Sequence, residues 1–297
     1  MNSGLSTNIG ILVLKLMARL PFRFIYLMAD FFYFFVYYVA GYRKKVVITN
    51  LRNAFPEKTD IEIKKIAKKY YHHFSDLMLE SIKMSNMSAN DFKKRMIIEN
   101  HELVNQFYDK GKSVVVLTMH YNNWEWGSSF PLYQKHTILG VYKQLHNLKF
   151  DKFINRNRAC MGAELVQNKN VLRRIIKAEK QKEPVFVWLA GDQTPHLEQN
   201  FWFTFLNQEA LFYPGPAVIS KKFDLPVFFQ KIEKTGRGKY KTTFELLFEN
   251  PNLFSEAEII KNYIEHMEKV IREKPEYYLW SHRRWKHKRP VGIELAI

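Results

Sequence analysis

Cysteine is almost absent from this chain, which has one, Cys160, among its 297 residues. A single thiol excludes a disulfide framework and a cysteine-rich metal site, and it fits a reducing compartment. Glycine and proline are also sparse, with 12 and 11 residues, which excludes collagen-like and low-complexity structure. Charged residues make up 25% of the sequence and hydrophobic residues 46%, so general disorder is excluded as well. The length suits one large domain or two small ones.

Acidic residues are few beside basic ones, 29 against 46, and the formal net charge is +17. Such a surface needs an anionic partner, which can be nucleic acid, an anionic membrane or a phosphorylated substrate. Aromatic residues reach 15% of the chain, with 24 Phe and 16 Tyr. Net charge alone does not distinguish among these three partners, but the positions of the aromatic residues in the sequence help to distinguish them.

The N-terminal segment combines apolar runs with flanking cations. Residues 9–16 are apolar except for Lys15, and residues 24–40 (FIYLMADFFYFFVYYVA) are interrupted only by Asp30. The second run is slightly shorter than the roughly 20 residues of a spanning helix, and an Asp at the bilayer centre costs roughly 2.5 to 3.5 kcal/mol. We therefore predict that residues 1–45 form helices lying in the membrane interface. A single span and a buried core helix are the alternatives, whereas the interrupted run does not fit a cleavable signal peptide.

Residues 46–297 alternate between helical and strand patterns and are predicted to form the second, larger domain. Buried strands are predicted at 113–119, 137–142, 184–189, 226–233 and 242–248. Helices are predicted at 56–74, 74–84, 100–112, 149–160, 171–180, 217–222 and 256–273. This alternation indicates an α/β fold with a mostly parallel central sheet flanked by helices. In such sheets, the chemistry lies at the carboxyl ends of the strands.

A histidine and a glutamate follow the first predicted strand. His120 and Glu125 are five residues apart, about 140° around a regular helix, so they cannot share one helix face. If His120 lies in the loop after the strand and Glu125 lies in the first turn of the following helix, both side chains can point into the same cleft. The carboxylate would then orient the imidazole as a general base. Such a pair has no nucleophile of its own, which suggests acyl transfer to a substrate alcohol or amine; a surface or structural pair is the alternative.

The chain resembles the bacterial lipid A late acyltransferases, within the wider lysophospholipid acyltransferase superfamily. His120 and Glu125 fit that family's H-x4-D/E signature, and further blocks follow in the family's order. These blocks are Asn50-Leu-Arg-Asn-Ala-Phe-Pro56, Arg156-Asn-Arg158 ahead of Gly162, Leu189-Ala-Gly-Asp-Gln-Thr-Pro195, residues 217–227 and Tyr278-Leu-Trp-Ser-His-Arg-Arg-Trp285. One departure is that residues 203–210 contain no glycine where the family has F-F-G, so the loop that shapes the acyl pocket, and with it the choice of chain length, is expected to differ.

The resemblance implies a glycerol-3-phosphate acyltransferase-like fold and transfer of a fatty acyl chain to a hydroxyl of a lipid A precursor. The implied donor is an acyl carrier protein thioester or acyl-CoA, with no other cofactor and no metal. Because such donors are cytosolic, the implied location is the cytoplasmic face of the inner membrane. In this reading, His120 is the general base and Glu125 orients it. The related families leave another glycolipid, an aminolipid or a lysophospholipid open as the acceptor.

Further candidates for substrate binding come from the other blocks. Arg158 is expected to hold a lipid phosphate or the tetrahedral oxyanion, and Arg156, two residues before it, is a weaker candidate because it lies on another helix face. Asp192 and Gln193 follow a predicted strand and are expected to position the acceptor or support Arg158, with capping of a turn as the alternative. The basic C-terminal cluster, with Trp280 and Trp285 between its charges, suits a lipid headgroup interface; its members are Arg283, Arg284, Lys286, His287, Lys288 and Arg289.

Two other readings remain open at this point. Cys160 lies beside Arg158 and is a rival catalytic nucleophile, although a packed thiol is the more common state of such a residue. A basic nucleic-acid-binding protein would also explain the net charge, but not the apolar segment at 24–40, and no helix-turn-helix, zinc-finger or RRM signature is present. We therefore expect an anionic membrane and acyl carrier protein as partners, and no nucleic acid.

Overall fold

The computed structural model describes residues 3–199 and 201–296. Its helices are α1 (Ser3–Arg19), α2 (Phe22–Phe34), α3 (Lys44–Ala54), α4 (Asp60–Lys83), α5 (Ala89–Arg95), α6 (His101–Asp109), α7 (Leu148–Arg158), α8 (Val171–Gln181), α9 (Gly215–Lys222) and α10 (Glu256–Glu273). Its strands are β1 (Met96–Ile98), β2 (Val114–Thr118), β3 (Thr137–Tyr142), β4 (Glu164–Gln167), β5 (Val185–Ala190), β6 (Trp202–Phe205), β7 (Gln208–Leu211), β8 (Val227–Gly236) and β9 (Lys239–Phe248). A π-helical segment, Phe35–Val39, continues α2.

Seven strands form the central sheet in the order β1-β9-β8-β2-β5-β3-β4. All neighbouring pairs are parallel except β8 and β9, which form an antiparallel hairpin. All five residues of β2 are buried, as expected for a strand that is covered on both faces in a parallel sheet. The predicted α/β fold with a mostly parallel sheet flanked by helices is confirmed.

All five predicted strands are present, and four further strands were not predicted. β1 and β4 have three and four residues and lie at the two edges of the sheet. β6 and β7 form a separate hairpin, whose turn residues Leu206 and Asn207 both have positive φ. That backbone conformation suits a two-residue hairpin turn. The segment at 203–210 therefore forms a tight hairpin although it contains no glycine.

The long helix α4 is well defined by its ends and its buried face. The Thr59 side chain accepts from the Glu62 backbone N–H, and the Glu62 carboxylate accepts from the Thr59 backbone N–H, which completes a capping box. Such a cap satisfies N–H groups that have no partner inside the helix. The helix then buries both apolar and charged side chains, among them Asp76 and Glu80. Glu80 accepts from Tyr26 of α2, and Asp76 binds Arg237, the residue that also binds Asp30 of α2.

The N-terminal helices pack on the rest of the protein. α1 contacts α4 and α7, and α2 runs along α4. Asp30, which interrupts the apolar run of α2, binds Arg237 in the β8–β9 turn at 2.5 Å between Oδ1 and Nη2. Lys83 of α4 donates a hydrogen bond to the Ala18 carbonyl at the end of α1, at 2.8 Å. Among the described helices, Phe22–Val39 is one that is long and apolar enough to cross a membrane, with a mean hydropathy of 1.3.

Candidate active site

Two neighbouring strands bring the central pair of the site together. β2 ends at Thr118 and β5 ends at Ala190, and these two residues are directly paired in the sheet. His120 and Asp192 each lie two residues further along, so the register places them opposite one another at the carboxyl edge of the sheet. This is the edge at which parallel α/β sheets carry ligands and chemistry.

His120 is held by the carboxylate of Asp192 through both its ring and its backbone. The ring Nδ1 lies 2.7 Å from Asp192 Oδ1, and the backbone N–H of His120 donates to Oδ2 at 3.0 Å. Burial of the ring opposes protonation, but the negative charge of Asp192 outweighs it and raises the pKa of His120 above its ordinary value. The same contacts lower the pKa of the Asp192 carboxyl despite its burial.

The second ring nitrogen of His120 faces the amide of Gln193, with 3.1 Å between Nε2 and the Gln193 Nε2. An ionised carboxylate only accepts hydrogen bonds and an amide nitrogen only donates them. The partners therefore assign the ring proton to Nδ1 and leave Nε2 unprotonated, with a lone pair that accepts from the Gln193 amide. The lone pair on Nε2 is the feature that a general base requires.

Glu125 does not have the role predicted for it. Its carboxylate forms a bidentate pair with Arg158, at 2.8 Å to Nε and 2.5 Å to Nη2, and the indole of Trp124 donates to it at 3.2 Å. The residue that orients the imidazole of His120 is Asp192 rather than Glu125. Asp192 was also expected to support Arg158, and the carboxylate that binds Arg158 is Glu125 instead. Glu125 acts on His120 through its charge, as a smaller contribution to the raised pKa of the ring.

The turn that carries His120 is fixed by two asparagines. Asn122 has a φ of 53°, a left-handed conformation that asparagine tolerates, and its side chain donates to the Ile232 carbonyl at 2.7 Å. Asn123 caps the 3-10 segment Trp124–Leu132 by accepting from the Trp126 backbone N–H. Its amide also donates to Glu80 at 2.7 Å, so Asn123 joins this turn to helix α4.

The C-terminal block of the family signature lies against this turn. Leu279 donates its backbone N–H to the His120 carbonyl at 3.1 Å, and Asn50 of α3 donates to the carbonyls of Trp280 and His282 at 2.9 and 3.0 Å. The ring of His282 accepts from the Thr194 backbone N–H at 3.3 Å. Sequence blocks far apart in the chain therefore meet at His120, and the asparagine of the first block was not predicted as a site residue.

Arg284 is not the surface residue that was predicted to bind substrate. It is 1% exposed, and its guanidinium lies over the Phe212 ring at 4.2 Å from the centroid. Burial lowers its pKa, and its positive charge helps to lower the pKa of Asp192. Trp280 is also buried. The predicted headgroup cluster therefore does not form one surface, because Arg284 and Trp280 face inward and Arg283 is exposed.

The other basic candidate and the rival nucleophile lie in a different place. Arg156 and Cys160 line a cleft that does not include His120, Glu125 or Arg158. Burial raises the pKa of the Cys160 thiol, which disfavours the reactive thiolate. The neighbouring guanidinium of Arg158 is paired with Glu125 instead.

An apolar cavity of about 700 Å³ opens beside the Glu125–Arg158 pair. Its walls come from α1, α2, α4 and α7, including Met17, Phe31, Met78 and Phe153. Glu125 and Arg158 are its charged lining residues. The hairpin at 203–210 does not contribute to its described lining, so the departure from the family pattern there does not alter this cavity directly.

The comparison with protein families agrees with the sequence signature. A family model described as bacterial lipid A biosynthesis acyltransferase matches residues 3–287. Among solved structures, the chain is similar to the 1-acyl-sn-glycerophosphate (LPA) acyltransferase, PlsC, from Thermotoga maritima, at 15% identity and a TM-score of 0.36, over 84% of this chain and 95% of that chain. No curated protein matches. Because the family model spans nearly the whole sequence, the chain belongs to the bacterial lipid A biosynthesis acyltransferases.

Proposed function

We propose that this membrane-associated acyltransferase moves a fatty acyl chain from a thioester donor to a hydroxyl group of a lipid A precursor. The observation that carries this proposal is the His120–Asp192 pair, which leaves Nε2 of His120 unprotonated. The Glu125–Arg158 ion pair acts on this ring through its charges and lines an apolar cavity. A histidine base of this kind needs a nucleophile from the substrate, which a sugar or acyl-chain hydroxyl supplies.

The reaction proceeds by direct transfer. Nε2 of His120 takes the proton of the acceptor hydroxyl as its oxygen attacks the thioester carbonyl carbon, forming the new C–O bond. Asp192 holds the ring and stabilises the imidazolium that forms. The tetrahedral intermediate then breaks its C–S bond, and the imidazolium returns the proton to the leaving thiolate. Arg158 is placed by Glu125 to stabilise the oxyanion.

The donor is an acyl carrier protein thioester or acyl-CoA, and no metal or further cofactor takes part. The apolar cavity accommodates the acyl chain, since its volume lies within the roughly 300 to 1,000 Å³ of small-molecule sites. Because Glu125 and Arg158 line the cavity and their charges act on His120, a chain bound there can bring its thioester carbonyl close to His120.

Residues 1–45 form the membrane-facing part of the enzyme, and residues 46–297 form the acyltransferase domain. The tether between Asp30 and Arg237 favours an interfacial position over a single span, since it holds the middle of α2 against the β8–β9 turn. The cytosolic donor places the enzyme on the cytoplasmic face of the inner membrane.

Mass spectrometry of lipids tests the proposal directly. Detergent-purified protein is incubated with acyl carrier protein thioesters and a tetra-acylated lipid A precursor. We expect one acyl mass increment, which His120→Ala reduces by about 10² to 10⁴-fold because the general base is lost. His146→Ala serves as a matched control, since His146 is exposed and lies outside the site.

The other outcomes separate the alternatives. Acylation of a total lipid extract without acylation of the lipid A precursor would keep the chemistry and change the acceptor. Equal activity of wild type and His120→Ala would refute His120 as the base. Inactivity of the wild type toward both lipid pools would refute the proposed reaction.

A further inference from the structure

A second cleft, of about 560 Å³, lies next to the apolar cavity and shares Phe153 and Asn157 of α7 with it. Its charged lining residues are Lys15 and Arg19 of α1 and Arg156 of α7. None of the described residues that line this cleft is acidic. Lys15 and Arg19 are four residues apart on one helix, so their side chains point to the same side of α1.

The three cations are not neutralised by neighbouring carboxylates. The salt bridges found among residues 3–199 and 201–296 involve other basic side chains, among them Arg158, two residues after Arg156, which is paired with Glu125. Three like charges that share one cleft repel one another. An anion bound among them removes that repulsion.

A buried hydrogen-bond donor accompanies the three cations. Asn157 is 4% exposed, and its Nδ2 is buried without a hydrogen-bond partner in the part of the chain that the structure describes. Buried polar groups are normally hydrogen-bonded, so an unpaired amide at the boundary of the two cavities indicates a ligand that accepts hydrogen bonds. Neutral donors and cations together are the usual partners of a phosphate group.

The position of the cleft also fits a phosphate. The neighbouring side of α1 exposes four apolar side chains, Ile9, Leu12, Val13 and Leu16. A helix with this pattern lies at the boundary between acyl chains and headgroups, where lysine and arginine extend toward the headgroups. A membrane bound to this face of α1 would place the cleft at phosphate depth, directly beside the cavity assigned to the acyl chain.

We propose that the cleft formed by Lys15, Arg19 and Arg156 binds a phosphate group of a substrate, as a subsite separate from His120. This inference rests on the proposed acyl transfer for the identity of the substrate. The phosphate belongs to the lipid acceptor or to the pantetheine arm of the thioester donor, because both carry phosphate groups and both must come close to His120 for acyl transfer.

Binding of a soluble phosphate lipid tests the site without any reaction. The probe is dihexanoyl phosphatidic acid, titrated by calorimetry into detergent-purified full-length protein, with dihexanoylglycerol as the phosphate-free comparison. We expect Arg156→Gln to weaken binding about tenfold or more, as for loss of one charge-assisted hydrogen bond. Lys15→Gln and Arg19→Gln act in the same direction. Lys152→Gln removes an equal charge from an exposed position of α7 and is expected to leave binding unchanged.

Steady-state kinetics then identify the source of the phosphate. In the acceptor arm, KM is compared for a tetra-acylated lipid A precursor before and after phosphatase treatment. In the donor arm, KM is compared for acyl-CoA and for the phosphate-free acyl-pantetheine. Arg156→Gln is expected to raise KM about tenfold for the phosphorylated substrate of one arm and to abolish the preference of the wild type within that arm.

Each result decides the inference. Failure of the wild type to bind the phosphate probe, or equal weakening by Arg156→Gln and Lys152→Gln, overturns the subsite whatever the catalytic activity. Unchanged KM values in both arms overturn its role toward substrate. Selective loss of probe binding in a protein that shows no acyl transfer leaves the phosphate site standing and refutes the proposed reaction instead.

Discussion

At the scale of single residues, two carboxylates near His120 have different tasks. Asp192 contacts the ring directly, whereas Glu125 is bound to Arg158 and reaches His120 only through its charge. Both favour the protonated ring, but a general base must be neutral to accept a proton. The rate of acyl transfer is therefore expected to fall as the pH drops through the raised pKa of His120.

Replacement of Asp192 by asparagine tests this arrangement. Because the carboxylate stabilises the imidazolium, Asp192→Asn lowers the pKa of His120, and the acidic limb of the profile of kcat/KM against pH moves to lower pH. The maximal rate falls by about 10²-fold or more, since the imidazole is no longer held in the correct tautomer. Glu125→Gln is expected to move the limb less. An acidic limb that stays in place in Asp192→Asn would contradict the assignment of Asp192 to His120.

The sequence was sufficient to nominate both members of this pair, but not to pair them. His120 and Asp192 each follow an apolar strand, which is a signal visible in the sequence. Their contact depends on β2 and β5 being neighbours with Thr118 opposite Ala190, and strand order is not encoded in either strand alone. Because Glu125 is close to His120 in the sequence, it was predicted to be the orienting carboxylate instead. In the structure, the carboxylate of Glu125 is paired with the guanidinium of Arg158.

At the scale of elements, helix α4 connects the N-terminal helices to the catalytic turn through Glu80. Its buried carboxyl accepts hydrogen bonds from Tyr26 of α2 at 2.9 Å, from Tyr240 of β9 at 2.8 Å and from Asn123 at 2.7 Å. Burial raises the pKa of this carboxyl. The Glu80 side chain therefore joins helix α4 to helix α2, to strand β9 and to the turn at Asn123, and it belongs to none of the sequence motifs.

Glu80→Ala is expected to disturb both stability and catalysis. It leaves three donors without their acceptor, at about 1 to 3 kcal/mol for each buried group, and it releases Asn123 next to His120. We expect a lower unfolding temperature in detergent and a lower kcat. Glu80→Gln restores most of both, since an amide of the same shape still accepts and donates. Glu265→Ala, at an exposed position of α10, should change neither; full activity of Glu80→Ala would refute the connection.

The elements themselves were predictable to different degrees. The five long apolar strands were found because continuous burial leaves a continuous apolar pattern. β1 and β4 are too short for such a pattern, and the β6–β7 turn places Leu206 at positive φ, where sequence rules expect glycine or asparagine. The packing of α2 on the rest of the protein could not be predicted from the sequence either, because Asp30 and its partner Arg237 are 207 residues apart.

At the scale of the whole molecule, charge and exposed apolar surface occur together on the N-terminal helices. α1 and α2 expose many large apolar side chains while their other faces contact α4 and α7. A contiguous apolar surface of this kind indicates a contact with membrane or protein, and the net charge of +17 favours an anionic bilayer. Helix α1 thus contributes to the apolar cavity, to the cationic cleft and to the exposed apolar surface.

Flotation with anionic vesicles tests this orientation. Leu12 and Leu16, 57% and 52% exposed, lie one helical turn apart and outside the described lining of the acyl cavity. Burying a leucine is worth about 1.5 to 3 kcal/mol, so Leu12→Ser combined with Leu16→Ser is expected to weaken vesicle binding at least tenfold. Leu253→Ser combined with Ile61→Ser changes side chains at 79% and 80% exposure elsewhere on the surface and should have no effect.

Salt separates the apolar from the electrostatic part of that binding. High ionic strength screens exposed charges but leaves the burial of apolar surface intact, so wild-type protein is expected to remain largely bound to vesicles at high salt. The Leu12/Leu16 double variant, which keeps every cation, is expected to be released. Complete release of the wild type by salt would mean that charge alone holds the protein to its partner, and it would restore a nucleic-acid-like mode of binding over an interfacial one.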